Sequence, residues 1–312
     1  MKNLFLIWIA LLISTSAMAQ QGYGVNIHQA AGQTIQIMRN MGATWVRVSH
    51  PWGEVERSAN NYDFAWSDYM LRDLKSRGMK VFYILGYPPS FWSSNGQSNG
   101  VPNRNAWIKY VDTMTTRYRD YVDVWEIHNE PNLKEFWAGT MREYIEVLLK
   151  PASPIIRRNA PNSQIAAPGV THIHSSKPGN YLKELRKYGA LETFDVVSYH
   201  LYSKSKPADF RKDLLESRWG KPSVQKVLQD AGLTGKPFWL TEFGCDLQET
   251  RSETANANCI YEKVRILKSI PWITGFFIYN LTDGEAGPQK WGLLRGDLSP
   301  TPSVPRLKPL FQ

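Results

Sequence analysis

Residues 122–132 read Val122-Asp123-Val124-Trp125-Glu126-Ile127-His128-Asn129-Glu130-Pro131-Asn132. Val122–Ile127 is a short apolar run rich in β-branched and aromatic residues, and it reads as a strand that gives way to polar residues before Pro131. Working outward, runs of the same kind recur at Tyr23–Ile27, Thr44–Val48, Val81–Leu85, Gln164–Ala167, Asp195–Ser198, Pro237–Thr241 and Thr274–Tyr279. Between them lie amphipathic segments with a period near 3.6 residues. Phe64, Met70, Leu71 and Leu74 form one such face, and Trp107, Val111, Met114 and Tyr118 another. Leu182, Leu185 and Tyr188 form a third, and Ile260, Val264, Ile266 and Leu267 a fourth. The stretch Ala208–Ala231 is helical in pattern but broken at Gly220 and Pro222. Asp63 is placed to cap a helix start, and Gly78 and Gly189 to end helices.

Strict alternation of strand and helix means a parallel sheet. Eight such units in roughly 290 residues fit a closed (β/α)8 TIM barrel better than an open doubly wound sheet. No Gly-rich phosphate-binding turn follows the first strand, which argues against a dinucleotide fold. The expectation is therefore an α/β chain with a single catalytic-type domain over residues 20–312, its tail Ser299–Gln312 filling the last helix position. The 312 residues are 42% hydrophobic and 21% charged, which suits a globular chain with an ordinary core.

The first 19 residues have the form of an export signal. Lys2 stands at the start, Leu4–Ile13 is apolar, and Ala17-Met18-Ala19 is a small-residue cleavage site. The apolar run is too short to span a bilayer. The mature protein is thus expected to be secreted or periplasmic, without stable membrane insertion. In that compartment Cys245 and Cys259 can form a disulfide, set against the alternative of two buried thiols. No cysteine or histidine spacing suits zinc, and Thr171-His172-Ile173-His174 reads as a surface loop rather than a metal site. No metal and no cofactor are expected. The formal charge of +9 becomes +8 once the signal, with its single lysine, is removed. The cations are scattered (Arg57, Lys75, Arg117, Arg142, Arg157, Lys183, Arg186, Lys212, Arg265), and no nucleic-acid-binding pattern accompanies them. Nucleic acid is therefore not an expected partner, while an anionic glycan is.

In a barrel of this kind chemistry gathers at the C-terminal ends of the strands. There the sequence offers His28 after the first strand and Arg47 on the second, followed by His50-Pro51-Trp52-Gly53-Glu54. Gly86-Tyr87-Pro88-Pro89 follows the third, and Asn129-Glu130 the fourth. His200 and Tyr202 follow the sixth, Glu242 ends the seventh, and Tyr279 precedes Trp291 on the eighth. Glu130 and Glu242 would face each other across the mouth. Paired carboxylates flanking a cleft are what cleavage of a glycosidic bond requires, one to protonate the leaving oxygen and one to attack or to activate water. Glu126 shares the strand and parity of Glu130. At about 3.3 Å per residue it would lie roughly 13 Å deeper, and it is expected to pair with Arg47 or another cation rather than to act in catalysis.

With those residues set out, a resemblance is plain. Val124-Trp125-Glu126-Ile127-His128-Asn129-Glu130-Pro131 resembles the acid/base signature of glycoside hydrolase clan A, and Trp239-Leu240-Thr241-Glu242-Phe243-Gly244 resembles its nucleophile strand. Trp45-Val46-Arg47-Val48 with Pro51-Trp52-Gly53-Glu54-Val55-Glu56 is similar to the second-strand region of family 39-like members, with a family 5-like barrel as the alternative. The resemblance implies that Glu130 is the general acid/base and Glu242 the nucleophile of a retaining double displacement. It implies that Asn129 bonds the sugar 2-hydroxyl, that Arg47 and Tyr202 hold Glu242 ionised and aimed, and that His28 and His200 line the subsite of the cleaved unit. Ile278 stands where many clan members carry a tryptophan platform, so Tyr279, Trp291 or Trp52 is expected to take over that role. Trp92 and Trp137 also follow strand ends, whereas Trp45, Trp125 and Trp239 fall within strands and belong to the core.

The expected function is a monomeric retaining glycoside hydrolase that cuts β-linked polysaccharide or oligosaccharide, internally, in an exopolysaccharide or cell-wall glycan. Two alternatives stand beside it: a transglycosylase that remodels envelope polysaccharide, which shares all the residues, and a catalytically silent carbohydrate-binding barrel, against which the presence of both glutamates argues.

Overall fold

The computed structural model describes residues 22–28, 32–172, 177–203, 206–218, 220–284 and 290–311. The export signal expected at residues 1–19 lies outside them, as do Ile173 and His174. Eight strands form a closed parallel barrel in sequence order: β1 (Gly22–Asn26), β2 (Trp45–Ser49), β3 (Lys80–Leu85), β4 (Val124–Ile127), β5 (Gln164–His172), β6 (Val196–Leu201), β7 (Phe238–Phe243) and β8 (Ile273–Ile278). β8 closes on β1 through Gly22 to Val25 against Gly275 to Ile278. The expected α/β TIM barrel is the observed fold.

The principal outer helices are α1 (Gly32–Met41), α2 (Ala65–Ser76), α3 (Arg104–Tyr118), α4 (Lys150–Asn159), α5 (Pro178–Lys187), α6 (Pro207–Leu215), α7 (Val224–Ala231), α8 (Glu253–Lys268) and α9 (Ser303–Phe311). Their apolar stripes meet the outward residues of the strands, as the 3.6-residue spacing requires. The break expected at Gly220 and Pro222 separates α6 from α7. Gly78 and Gly189 follow helix ends with φ of +71° and +63°, the left-handed geometry a glycine supplies without strain. Among the described residues no helix is long and apolar enough to cross a membrane.

Inside the barrel, strand alternation builds two layers of different chemistry. Trp45, Phe82, Val124, Ala166, Val196, Trp239 and Phe277 form an apolar plug, separate from the core outside the barrel. Gly22 and Gly24 on β1 leave room for the Trp239 and Phe277 rings, which an added Cβ would strike. Two residues further along several strands the inward positions become polar: Asn26, Arg47, Glu126, Ser198 and Thr241, all buried. A period of two delivers each of them to the same face as the plug residue beneath. The plug keeps water from below, and the polar layer is the floor of the cleft above.

Two irregularities aim residues into that cleft. The register of β7 shifts between Leu240 and its partners beyond, on both neighbouring strands. Thr241 and Glu242 are consecutive, yet both bond to inward groups, which an unbroken pleat forbids and a bulge permits. β5 carries a second shift between Ala167 and Val170. There Gly169 accepts from the Glu130 backbone N–H at 2.8 Å, and a Cβ on Gly169 would come within 2.7 Å of Glu126 Oε1.

Candidate active site

A cleft of about 450 Å³ opens at the C-terminal end of the barrel. Its floor is organised by Arg47, which is 2% exposed. Arg47 Nε donates to Glu126 Oε2 at 2.7 Å. Its Nη1 donates to Asn26 Oδ1 at 2.9 Å and to Glu242 Oε1 at 2.6 Å, and its Nη2 to Asn129 Oδ1 at 2.8 Å. Burial alone would disfavour this cation, but the charges of Glu126 and Glu242 overcome that and hold it firmly protonated. Glu126 therefore pairs with Arg47 as expected, and its other oxygen accepts from Ser198 Oγ. β4 ends at Ile127, and His128 and Glu130 take φ of +64° and +43°. These left-handed residues turn the chain at the mouth, and the Arg47 guanidinium bridges Glu126 to Glu242. Left-handed backbone at two non-glycine residues costs energy and is held by its surroundings, a recurrent property of functional sites.

Glu242 receives Arg47 on one oxygen and the Tyr202 hydroxyl, at 2.7 Å, on the other. Glu130 has a different environment. Burial pushes its carboxyl up to about 7, against the opposing pulls of the Thr171 hydroxyl and the Arg47 charge. His200 Nδ1 lies 2.8 Å from Glu130 Oε1 and 3.5 Å from Glu242 Oε2. Burial holds the His200 imidazole down at about 4, so it is neutral near pH 7 and can share one proton with Glu130. Glu130, His200 and Glu242 each place one ligating atom within 4.8 Å of the others. Among the described residues this is the one group spaced to hold a metal ion, but both Glu242 oxygens are already bonded.

Asn129 is buried beside Glu130, with its carbonyl oxygen taken by Arg47. Its amide N–H groups are therefore what it can offer a ligand. Tyr202, Tyr279 and Trp291 line one wall, their rings edge-to-face at 5.3–6.5 Å between centroids. His28 stands edge-on to Tyr279 at 5.8 Å. Tyr87, with φ of +62°, and Phe136 line the cleft too. Neither was singled out in the sequence as a site residue. For Tyr87 the signal was its place directly after β3; Phe136 carried none.

Trp52 does not belong to this wall. It is fully buried, stacked on Tyr110 at 4.7 Å, and its Nε1 donates to Glu56 Oε2 at 2.6 Å. Trp92 donates to the other oxygen of Glu56, so this carboxylate ties the loops after β2 and β3 together. Trp137 is also fully buried. Of the three expected sugar platforms, Tyr279 and Trp291 line the cleft and Trp52 does not. Thr171 and His172 are the last residues of β5 rather than a loop. Cys245 and Cys259 form a disulfide. The general basic charge does not reach the cleft: Arg47 is its only Lys or Arg among the described residues, and each of its three nitrogens is already bonded within the floor.

A parallel eight-stranded barrel with two facing carboxylates at its C-terminal mouth defines the class, that of the clan A glycoside hydrolase barrels. The chain belongs to the cellulase family, glycosyl hydrolase family 5, whose model matches residues 13–274. It is 26% identical over 195 residues to a β-xylosidase of Caldicellulosiruptor saccharolyticus, a match that takes in 55% of this chain and 38% of that protein. Its fold is similar to that of a family 39 glycoside hydrolase from the gut symbiont Bacteroides cellulosilyticus WH2, with a TM-score of 0.71 and 18% identity over 93% of this chain and 63% of the other. It is similar also to a monomeric β-xylosidase from Caulobacter crescentus CB15 (TM-score 0.69, 18% identity, 92% and 67% covered). Xylanase 10B of Thermotoga maritima gives a TM-score of 0.66 at 14% identity, with 94% and 95% covered.

Proposed function

We propose that this protein is a retaining glycoside hydrolase that cleaves β-linked polysaccharide by double displacement, with Glu130 as general acid/base and Glu242 as nucleophile. The observation that carries the reading is the separation of the two carboxylates. An oxygen of each lies within 4.8 Å of the other, a close approach that supports the short spacing of retaining sites, roughly 5–5.5 Å between carboxyl groups. The chemistry follows from the two environments. Glu130 can carry a proton near neutral pH and give it to the departing oxygen. Glu242, fixed by Arg47 and Tyr202, attacks the anomeric carbon and is released when Glu130, now a base, activates water. Asn129 donates to the sugar 2-hydroxyl, His28 and His200 flank the cleaved unit, and Tyr279 and Trp291 supply apolar faces for the ring.

The β-xylosidase relative makes 4-nitrophenyl β-xyloside and xylan the first substrates to try. The protein is proposed to act as an exported monomer and to cut within the chain. The decisive experiment follows the anomer first released, by proton NMR. A β-configured first product is expected, and an α-configured one overturns the mechanism. Glu242→Ala should leave almost no turnover, with partial rescue by azide giving an inverted glycosyl azide. Glu130→Ala should lose activity on xylan while sparing the 4-nitrophenyl glycoside, whose leaving group needs no proton. Equal loss on both would remove Glu130 from the acid role. Product length on xylan separates internal from terminal cutting.

A further inference from the structure

The positive charge missing from the cleft collects at a second opening on the same end of the barrel. A cavity of about 360 Å³ lies there, lined by His172, Lys177, Asn180 and Lys221 over an apolar base that includes Pro178 and Val227. His172 ends β5, Lys177 and Asn180 belong to the start of α5, and Lys221 to the approach to α7. Lys177 and Lys221 are exposed. Neither makes an ion pair among the described residues, whereas the neighbouring Lys183 and Lys226 both reach Asp230. Asp213, the acid whose charge reaches His172, is already bonded to Ser203 Oγ at 2.6 Å and to Arg218 at 3.0 Å.

The position of this cavity gives it meaning. β5 is the one barrel strand whose end does not line the catalytic cleft. It adjoins β4, which leads to Glu130, and the Asn132 side chain is bonded to Thr171 through both N–H and C=O. The cavity therefore lies beyond the acid, next to the cleft on its β5 side. A general acid stands beside the group it protonates, so that side receives the leaving portion of the glycan. Two unpaired ammonium groups over an apolar base suit a sugar ring that carries a negative charge, its ring face on Pro178 and Val227 and its anion on the lysines.

We propose that this cavity is a leaving-group-side subsite for an anionic sugar unit, carboxylated or sulfated, and that the unit cleaved at Glu242 is neutral. The substrate class is then a β-linked heteropolysaccharide in which neutral and acidic units alternate. The side assignment rests on the role of Glu130 proposed above; the binding itself does not.

The test is calorimetric binding to the full chain, with trigalacturonate, the same trimer with its carboxyls reduced, and galactose 6-sulfate as probes. At least one anionic probe should bind, with affinity falling as salt rises. The reduced trimer should bind at least about tenfold more weakly than trigalacturonate if the site takes carboxylates, and the Lys177→Ala/Lys221→Ala variant should weaken the bound anion by a similar factor. The ratio of the two anions says which charge the site takes. If neither anion binds, if the reduced trimer matches the acidic one with no sulfate binding, or if the double variant binds as the parent does, the proposal is overturned. The reduced-trimer comparison needs no variant. No hydrolysis is read, so failure of the glycosidase reading and failure of this subsite give different results.

Discussion

Glu130 is the residue at which function and stability pull against each other. Its carboxyl, ordinarily near 4.5, sits at about 7 because burial disfavours its charge. The activity that depends on its proton should decline on the alkaline side, with kcat/KM on xylan falling about a midpoint near 7. Stability carries the same signature. A carboxyl raised by folding contributes its full share below about pH 4.5, and that share is lost as the pH climbs through about 7. Glu130→Gln removes the titration. At pH 4 parent and variant should melt alike, and at pH 8 the variant should be the more stable by on the order of 2–3 kcal/mol. A variant that melts lower at pH 8 would show that Glu130 is ionised at no cost there. Such a gain on losing a catalytic group is the usual trade between activity and stability.

Among elements, the β7 end is held from outside the barrel by α8. Three residues on one face of α8 grip the two residues that follow Phe243. Asn256 donates to the Cys245 carbonyl at 2.7 Å, Cys259 is disulfide-bonded to Cys245, and the buried Lys263 donates to the Gly244 carbonyl at 2.7 Å. Replacing both cysteines by serine opens a loop of 14 residues and should cost about 3 kcal/mol, seen as a lower denaturant midpoint. An unchanged midpoint would place the stabilisation in the other two contacts. The strands themselves were legible, because buried parallel strands are continuous apolar runs, and all but the long β5 were found to within three residues at each end. Glu130 and Tyr202 were legible because they follow strand ends, and Arg47 and Glu242 because they sit on the C-terminal halves of strands. What local pattern could not show was the irregular geometry. The fifth run is read as ending at Ala167, whereas β5 bulges there and runs on to His172. The left-handed turns at His128 and Glu130 are invisible in a period-two reading. Trp52 was misplaced because a tryptophan after a strand end can turn inward as readily as outward, and Glu56, which draws it in, is local only in hindsight.

For the molecule as a whole, closure depends on its last helix. α9 covers the seam between β8 and β1, with Leu307 fully buried and Phe311 edge-on to Tyr23 and Phe276 at 6.3 and 6.1 Å. A chain ended before Ser303 would leave that seam bare. Loss of a buried leucine and of the partly buried Phe311 that packs on the core should together cost more than about 4 kcal/mol, enough to abolish a cooperative thermal transition in a marginally stable protein. A truncated chain that melts cooperatively near the parent temperature would contradict this view of the seam. The Arg47 guanidinium has a different reach. It is joined to side chains carried by β1, β4 and β7 and by the turn after β4, so one side chain is common property of the nucleophile, the sugar-facing amide and the floor. Shared ownership constrains the history of such a site. Changes at Glu242 and Asn129 cannot be sampled independently, since the first alters what the second still stands to lose. Descendants of this protein are therefore free to change the sugars they meet through the rim, one residue at a time, while the floor must be inherited whole.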